Sequence, residues 1–369
     1  MKLPWTKTEE KSAPPMIALA QLPMADWGRS DPATLVRDGY TGNAIAYRCV
    51  RMIAEAAASI ALKGSDARVE TLLVEPSPEE AGQALFERFY TDLQITGNAF
   101  LEAVTLADQD VPKGLFALRS DCVRVRQDKV GRHQGYRVKL KRGERLIGRE
   151  ADGWSPVLHF KLYHPGDSTY GLSPLAAARK ALDVHNGAAG WAKALIDNAA
   201  RPSGALMYGK DGARMTREQF DRLKEQLRSE HAGAMNAGRP LLLEGGLDWR
   251  PMSLSPVEMD FTATRHAAAR EIALAFGIPP MLLGIPGDNT YSTYKEANLA
   301  FWRLTVLPLV QKTANALTVW LRGRFDNLTL VVDVENVPAF MTERDALWAR
   351  VSAAEFLSND EKRKILDLT

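Results

Sequence analysis

The chain has 369 residues, 46% hydrophobic and 25% charged, with 47 Lys and Arg against 45 Asp and Glu for a formal net charge of +2. That length allows two or three structural units with a real core, and the composition excludes whole-chain disorder and a coat held on nucleic acid by charge alone. Cys49 and Cys122 lie outside any CxxC or His/Cys cluster, so a reducing compartment is expected, with no disulfide framework, metal site or cofactor. The apolar stretch Met16–Ala20 is too short for a signal segment, and no window reaches the ~18 apolar residues of a membrane span. A soluble protein made inside the cell, without membrane attachment, is expected.

Residues 1–27 mix Lys, Glu and Pro without periodicity and read as a flexible arm, with order beginning near Tyr40. Thr41 is placed to cap a buried, apolar helix over Gly42–Leu62 that Gly64 stops. Ser77-Pro78-Glu79-Glu80 predicts a helix running from there to Thr96, with Gly97 as its stop. Phe100–Lys161 alternates apolar and polar residues as half-buried antiparallel strands do, with turns at Val130-Gly131 and Arg142-Gly143.

Pro174–Ala200 predicts a long helix rich in Ala and Gly, whose small residues allow close packing by neighbours. Thr216-x-x-Gln219 is a capping box before a short helix carrying Phe220, Leu223 and Leu227 on one face, and Pro240–Glu244 with Leu247–Pro251 around Gly245 predicts a hairpin. A second Ala-rich helix spans Phe261–Phe276, and Gly284–Tyr291 is a polar loop. Ser292 then begins a long helix to Arg322 with a kink expected at Pro308. Leu328–Val334 predicts a strand, Glu343–Phe356 a helix, and Ser358-x-x-Glu361 a capping box for a last helix.

No catalytic constellation is legible. GxxxxGK[ST], HExxH and GxSxG are absent, and Gly209-Lys210-Asp211-Gly212 lacks phosphate-loop spacing. His159, His164, His185 and His266 read as core, surface or buried-polar-contact histidines. Asp333 and Glu335, two apart on a strand, read as surface charges. Arg124–Arg145 holds nine Lys and Arg alternating with apolar residues, the pattern of the solvated face of a half-buried sheet. Two alternatives stay open: a nucleic-acid-binding module built on Arg124–Arg145, and an enzyme with a site dispersed over His159, Asp333 and Glu335.

Four segments together resemble the portal proteins of tailed bacteriophages, the siphophage-type family also found in prophages and gene-transfer particles. They are Asn43–Ala54; Tyr170-Gly171-Leu172-Ser173-Pro174 with Asn198–Gly204; Phe276–Gly284 followed by Thr290-Tyr291-Ser292, Glu296 and Pro308; and Leu357–Arg363. The resemblance implies an α+β subunit with a mixed α/β wing, helical stem, small α/β clip, kinked tunnel helix and short helical crown. The wing is residues 28–170 and 327–341, and the stem helices are 171–200 and 260–277. The clip is 201–259, the tunnel loop and long helix 278–326, and the crown 342–369.

The resemblance also implies a homo-oligomeric ring, usually of twelve subunits, at one capsid vertex, with no catalysis of its own. Its partners are the terminase large subunit, then a head–tail adaptor, the major capsid protein, and double-stranded DNA passing through the channel. By position, Gly284, Ile285, Pro286, Gly287, Asp288, Asn289, Thr290 and Tyr291 form the tunnel loop, and Phe220, Leu223, Leu227, Gly245 and Trp249 the docking face of the clip. A loop without Lys or Arg holds phosphates weakly, which suits a conduit.

Overall fold

The computed structural model describes residues 34–106, 109–129, 131–197, 204–208, 216–218, 221–222, 225, 247–251, 261–287 and 291–366. The arm over 1–27 lies outside them. The first element among the described residues is a π-helical turn over Leu35–Thr41, which already contains Tyr40. Helix α1 follows at Ala44–Ala58, and its cap is Asn43 rather than Thr41: the Asn43 side chain accepts from the backbone N–H of Ile45 and Ala46. The Thr41 hydroxyl is turned back onto the carbonyl of Arg37 at 2.8 Å. The helix is also shorter than its apolar run, because Leu62–Gly64 leaves it as strand β1.

Helix α2 (Ala67–Val74), capped by Asp66, has no counterpart in the sequence-based expectations. Ser77–Glu80 makes a tight turn, with Glu80 N–H donating to the Ser77 hydroxyl at 3.1 Å, and α3 runs only over Gly82–Thr96. The delayed start fits the crossing with α2: a Cβ on Gly82 would lie 1.9 Å from the Leu73 carbonyl oxygen. Gly97 stops α3 in the left-handed region at φ 76°, as expected.

The alternating stretch folds as six antiparallel strands: β2 (Asn98–Thr105), β3 (Pro112–Leu118), β4 (Val123–Gln127), β5 (His133–Lys139), β6 (Glu144–Gly148) and β7 (Val157–Lys161). They form two three-stranded sheets, ordered β3-β2-β7 and β4-β5-β6. Phe100, Val157, Val123, Tyr136, Val138 and Ile147 pack together between the sheets. Arg145 pairs with Val138 on that inner face and binds Glu102 of β2, so the basic run is not wholly a solvated face.

The first Ala-rich segment is divided into α4 (Pro174–Ala177), capped by Ser173, and α5 (Arg179–Asp197). Strands β8 (Gly204–Tyr208) and β9 (Leu247–Pro251) pair antiparallel. The described partner of Leu247–Pro251 is therefore a distant segment, and the expected partner Pro240–Glu244 lies outside the described residues. Helix α6 covers Phe261–Ala275.

The long helix is continuous from α7 (Tyr291–Ala300) through a π-helical segment, Phe301–Val306, into α8 (Leu307–Leu321). Its first residue is Tyr291, so Ser292 is not the cap. Proline cannot donate to the residue four back and its ring crowds that carbonyl. The π segment immediately before Pro308 removes the α register at the place where this conflict falls. Strand β10 (Leu330–Val332) pairs with β1, then come α9 (Met341–Ala353) and α10 (Asn359–Ile365), whose reciprocal Ser358–Glu361 capping box is present as expected.

The main core joins α1, α3 and α8 through residues such as Val50, Ile53, Leu85, Phe89, Val310 and Leu317, all at most 1% exposed. Two joints fix the sheets to this helical layer. Trp154 stacks on Trp320 of α8 at 5.9 Å and 13°, and each indole N–H donates to backbone across the joint. Arg324 lies 4.3 Å over Trp154 and is held by Glu150 and Asp152.

The second joint is backbone on backbone. Leu162 N–H donates to the Gly97 carbonyl at 2.9 Å, and a Cβ on Gly171 would sit 2.1 Å from that same oxygen and 2.7 Å from the Leu162 carbonyl oxygen. Backbone cannot retreat as a side-chain tip can. Gly171→Ala is expected to destabilise the chain by about 1–3 kcal/mol, the cost of overpacking a close contact, read as a lower urea midpoint at unchanged slope.

Candidate functional site

The segment assigned to the tunnel loop is built by two successive left-handed stops. Helix α6 ends with Gly277 at φ 69°, its N–H bonded to the Leu274 carbonyl while Ile278 N–H reaches back to Ala273. A 3-10 turn over Pro280–Leu283 then ends the same way, with Gly284 at φ 70°, bonds from Gly284 to Met281 and from Ile285 to Pro280. This is the Schellman pattern used twice, and it folds the chain back on α6. The Thr305 hydroxyl of the π segment donates to the Gly277 carbonyl, tying the long helix to the first stop.

Of the eight expected loop residues, Gly284, Pro286 and Gly287 are exposed. Ile285 is 4% exposed and packs on Ala269 and Ala273 of α6, so it anchors the segment and does not line a surface. Tyr291 is the first residue of α7. Asp288, Asn289 and Thr290 lie outside the described residues. The segment carries no cation of its own, yet the Arg270 guanidinium of α6 donates to the Pro286 carbonyl and stands against Gly287. Sequence spacing gave no signal for that contact, because Arg270 belongs to another element.

The two Ala-rich helices lie against each other, and Asn43 ties α5 to the start of α1. Its amide donates to Asn186 Oδ1 at 2.8 Å and meets His185 Nδ1 at 3.0 Å, while Asn186 donates to the Asp38 carbonyl at 2.8 Å. His185 therefore accepts through Nδ1 and is neutral; burial first, then Arg265, holds its pKa below the usual histidine value. The buried-polar-contact expectation for His185 holds. Small residues of α5 divide between faces: Ala181 and Ala188 are buried, whereas Gly187 and Gly190 are exposed with nothing within 4 Å of a Cβ.

Of the residues assigned to clip docking, Phe220, Leu223, Leu227 and Gly245 lie outside the described residues. Trp249 lies in β9 opposite Leu206. His159, Asp333 and Glu335 are not gathered into one site. Strand β10 ends at Val332, and the two carboxylates face Lys63, at 3.1 and 3.9 Å. His159 instead stacks on Phe100 at 4.3 Å and donates from Nε2 to Asn98 Oδ1 at 3.0 Å, an oxygen that also accepts from Gly171 N–H. Among the described residues no group of three His, Cys, Asp or Glu is positioned to hold a metal ion. No helix among them is long and apolar enough to cross a membrane.

The fold and these segments find their counterparts in one family. Residues 44–367 match the family model described as phage portal protein. A chain in the neck of the native GTA particle, computed with C12 symmetry, is 48% identical with a TM-score of 0.72, covering 92% of this chain and 94% of its own. A protein of Rickettsia bellii is 39% identical over 90% of this chain and 88% of its own length. The probable portal protein of Streptomyces phage phiC31 is 28% identical over 88% of this chain and 74% of its own. The chain belongs to the phage portal protein family, whose members are structural rather than catalytic components of the particle.

Two measurements probe these contacts. Asn43→Ala removes a helix cap, worth about 1 kcal/mol, and leaves buried partners unpaired at about 1–3 kcal/mol; a lowered thermal midpoint is expected, with Asn43→Asp recovering the cap alone. For His159, burial, aided by Lys161 and His133, lowers the pKa from 6.5 to about 4. The unfolded chain then binds a proton that the folded chain refuses. Its contribution is fully present above pH 6.5 and is lost as pH falls toward 4, on the order of 3 kcal/mol. His159→Gln is expected to flatten that limb of the stability–pH curve measured by urea unfolding.

Proposed function

We propose that this chain assembles into a homo-oligomeric ring, of twelve subunits, at one vertex of a phage or gene-transfer capsid. Double-stranded DNA is packaged and ejected through its channel. The terminase large subunit docks on it during filling and a head–tail adaptor afterwards, with the major capsid protein around it. The observation that carries this is the likeness, at 48% identity over nearly the full length of both chains, to a subunit in a GTA particle neck of C12 symmetry.

In this assignment residues 28–170 and 327–341 are the wing, 171–200 and 260–277 the stem, 201–259 the clip, 278–326 the tunnel loop and helix, and 342–369 the crown. Exposed Gly187 and Gly190 on α5 let a helix of the next subunit approach closely, as side-by-side packing in a ring requires. Gly284–Tyr291 borders the channel. Its own lack of Lys and Arg gives DNA little ionic hold on the loop residues themselves, and the Arg270 guanidinium, still charged, stands beside Gly287.

Electron microscopy and native mass of the purified chain are expected to give closed rings. A protein that stays monomeric when supplied with the capsid components sinks the proposal. Deleting Asp288–Thr290 is expected to leave rings intact and to reduce DNA packaged or retained per particle; loss of folding instead refutes the tunnel-loop assignment.

A further inference from the structure

The outer face of the β4-β5-β6 sheet carries charge that a neutral conduit does not use. Val123, Tyr136, Val138 and Ile147 fill the inner face, which leaves Arg124, Arg126, Arg137 and Lys139 exposed on the other. Arg124 stands directly opposite Arg137 across the β4–β5 ladder, and like charges so placed destabilise a sheet. Glu144 lies 3.5 Å from Arg137. Nearby carboxylates are committed elsewhere: Asp121 to Arg119, and Glu102 to Arg145 on the inner face. Among the described residues no ion pair engages Arg124, Arg126 or Lys139, although Arg124 donates to the Val123 and Asp121 carbonyls at 3.1 and 3.4 Å and Glu144 stands opposite Lys139 in the β5–β6 ladder.

Relief supplies a second, independent observation. One step along the strands, Arg126 pairs with Gly135 and Gly135 with Gly148; Gly135 is buried at φ 132° with its Cβ position 2.3 Å from the Ile147 carbonyl oxygen, so the open ground in that row is at Gly148. Nothing lies within 4 Å of a Cβ on Gly148. Glycine in a strand interior weakens the sheet and marks places where a ligand approaches the backbone closely. Neighbouring outward side chains stand about 6.6 Å apart along a strand and about 5 Å between strands. The cations thus form a low, open lattice without an apolar pocket, and three of them are guanidinium groups suited to paired bonds with phosphate oxygens.

We propose that this face is a sequence-independent binding site for the phosphate backbone of duplex DNA, separate from the channel. An acidic protein segment is disfavoured because the face offers no cleft to seat its side chains. The site does not depend on ring formation, since all its groups belong to one subunit.

The test is fluorescence anisotropy of a short labelled duplex with the full chain at several salt concentrations, with native mass recorded on the same samples. Binding is expected to weaken with log salt at a slope of about −3 to −4, and to fall at least tenfold when Arg124, Arg126, Arg137 and Lys139 are all changed to Gln. The single variant Arg126→Gln, at an exposed site without an ion pair, is expected to reduce the slope by about 1 even where the fourfold variant folds poorly. Binding by a chain that remains monomeric supports this face while counting against the ring. Affinity unchanged in Arg126→Gln, or capture of a polyaspartate peptide in place of the duplex, overturns the proposal.

Discussion

The backbone of Gly97 lies against that of Gly171, and most of the architecture is arranged around that approach. Gly97 ends α3, and its carbonyl holds Leu162 just past β7. Asn98, the next residue, uses one side-chain oxygen to hold both His159 and the N–H of Gly171. A helix end, two strands and the chain leading into α4 thereby converge on a few polar atoms that are buried or nearly so. Buried polar groups are costly unless satisfied, and here each satisfies another, so the set holds one geometry. Ser173 then starts α4 two residues on, and the direction of α4 and α5 is fixed by the junction.

The far end of the sheets is held differently. Trp154 and Trp320 exchange indole bonds with backbone across the joint, and Arg324 covers Trp154 while two carboxylates neutralise it. An aromatic stack anchored at both indole nitrogens resists sliding as well as separation. With the Gly97–Gly171 junction at one side and this stack at the other, the β layer is pinned to α3 and α8 at separate points. Rotation of one layer on the other would then break both.

Elements whose ends carry local chemistry were legible in the sequence. The stop at Gly97, the helix start at Pro174, the Ser358–Glu361 capping box and the alternating strands all follow from residues within a few positions of each other. What was illegible depended on distant partners. Ser77-Pro78 carries every mark of a helix start, yet the Leu73 carbonyl leaves space only for Gly82 at the crossing, so the helix begins later. Thr41 and Asn43 are both good caps, and Asn43 wins because His185 and Asn186 use its amide as well. Ile285 reads as part of a polar loop until α6 supplies Ala269 and Ala273 for it to pack against. The π segment before Pro308 was foreseen only as a kink, since sequence marks the conflict and not the turn that absorbs it.

Charge follows the same division between local pattern and tertiary placement. A net charge of +2 on 369 residues describes no surface of the molecule. Folding directs Arg145 inward to Glu102 and Arg324 beneath Glu150 and Asp152, where each is neutralised by a carboxylate from another element. Arg270 is turned onto a backbone carbonyl beside a segment that has no cation. Arg124, Arg126 and Lys139 are left outward on one sheet face. Coulomb interactions between exposed groups fade over about 10 Å at ordinary salt, so the acids that balance the total cannot cancel that face from the opposite side of the subunit. A chain that is neutral on average can therefore leave one surface without cations and another dense with them.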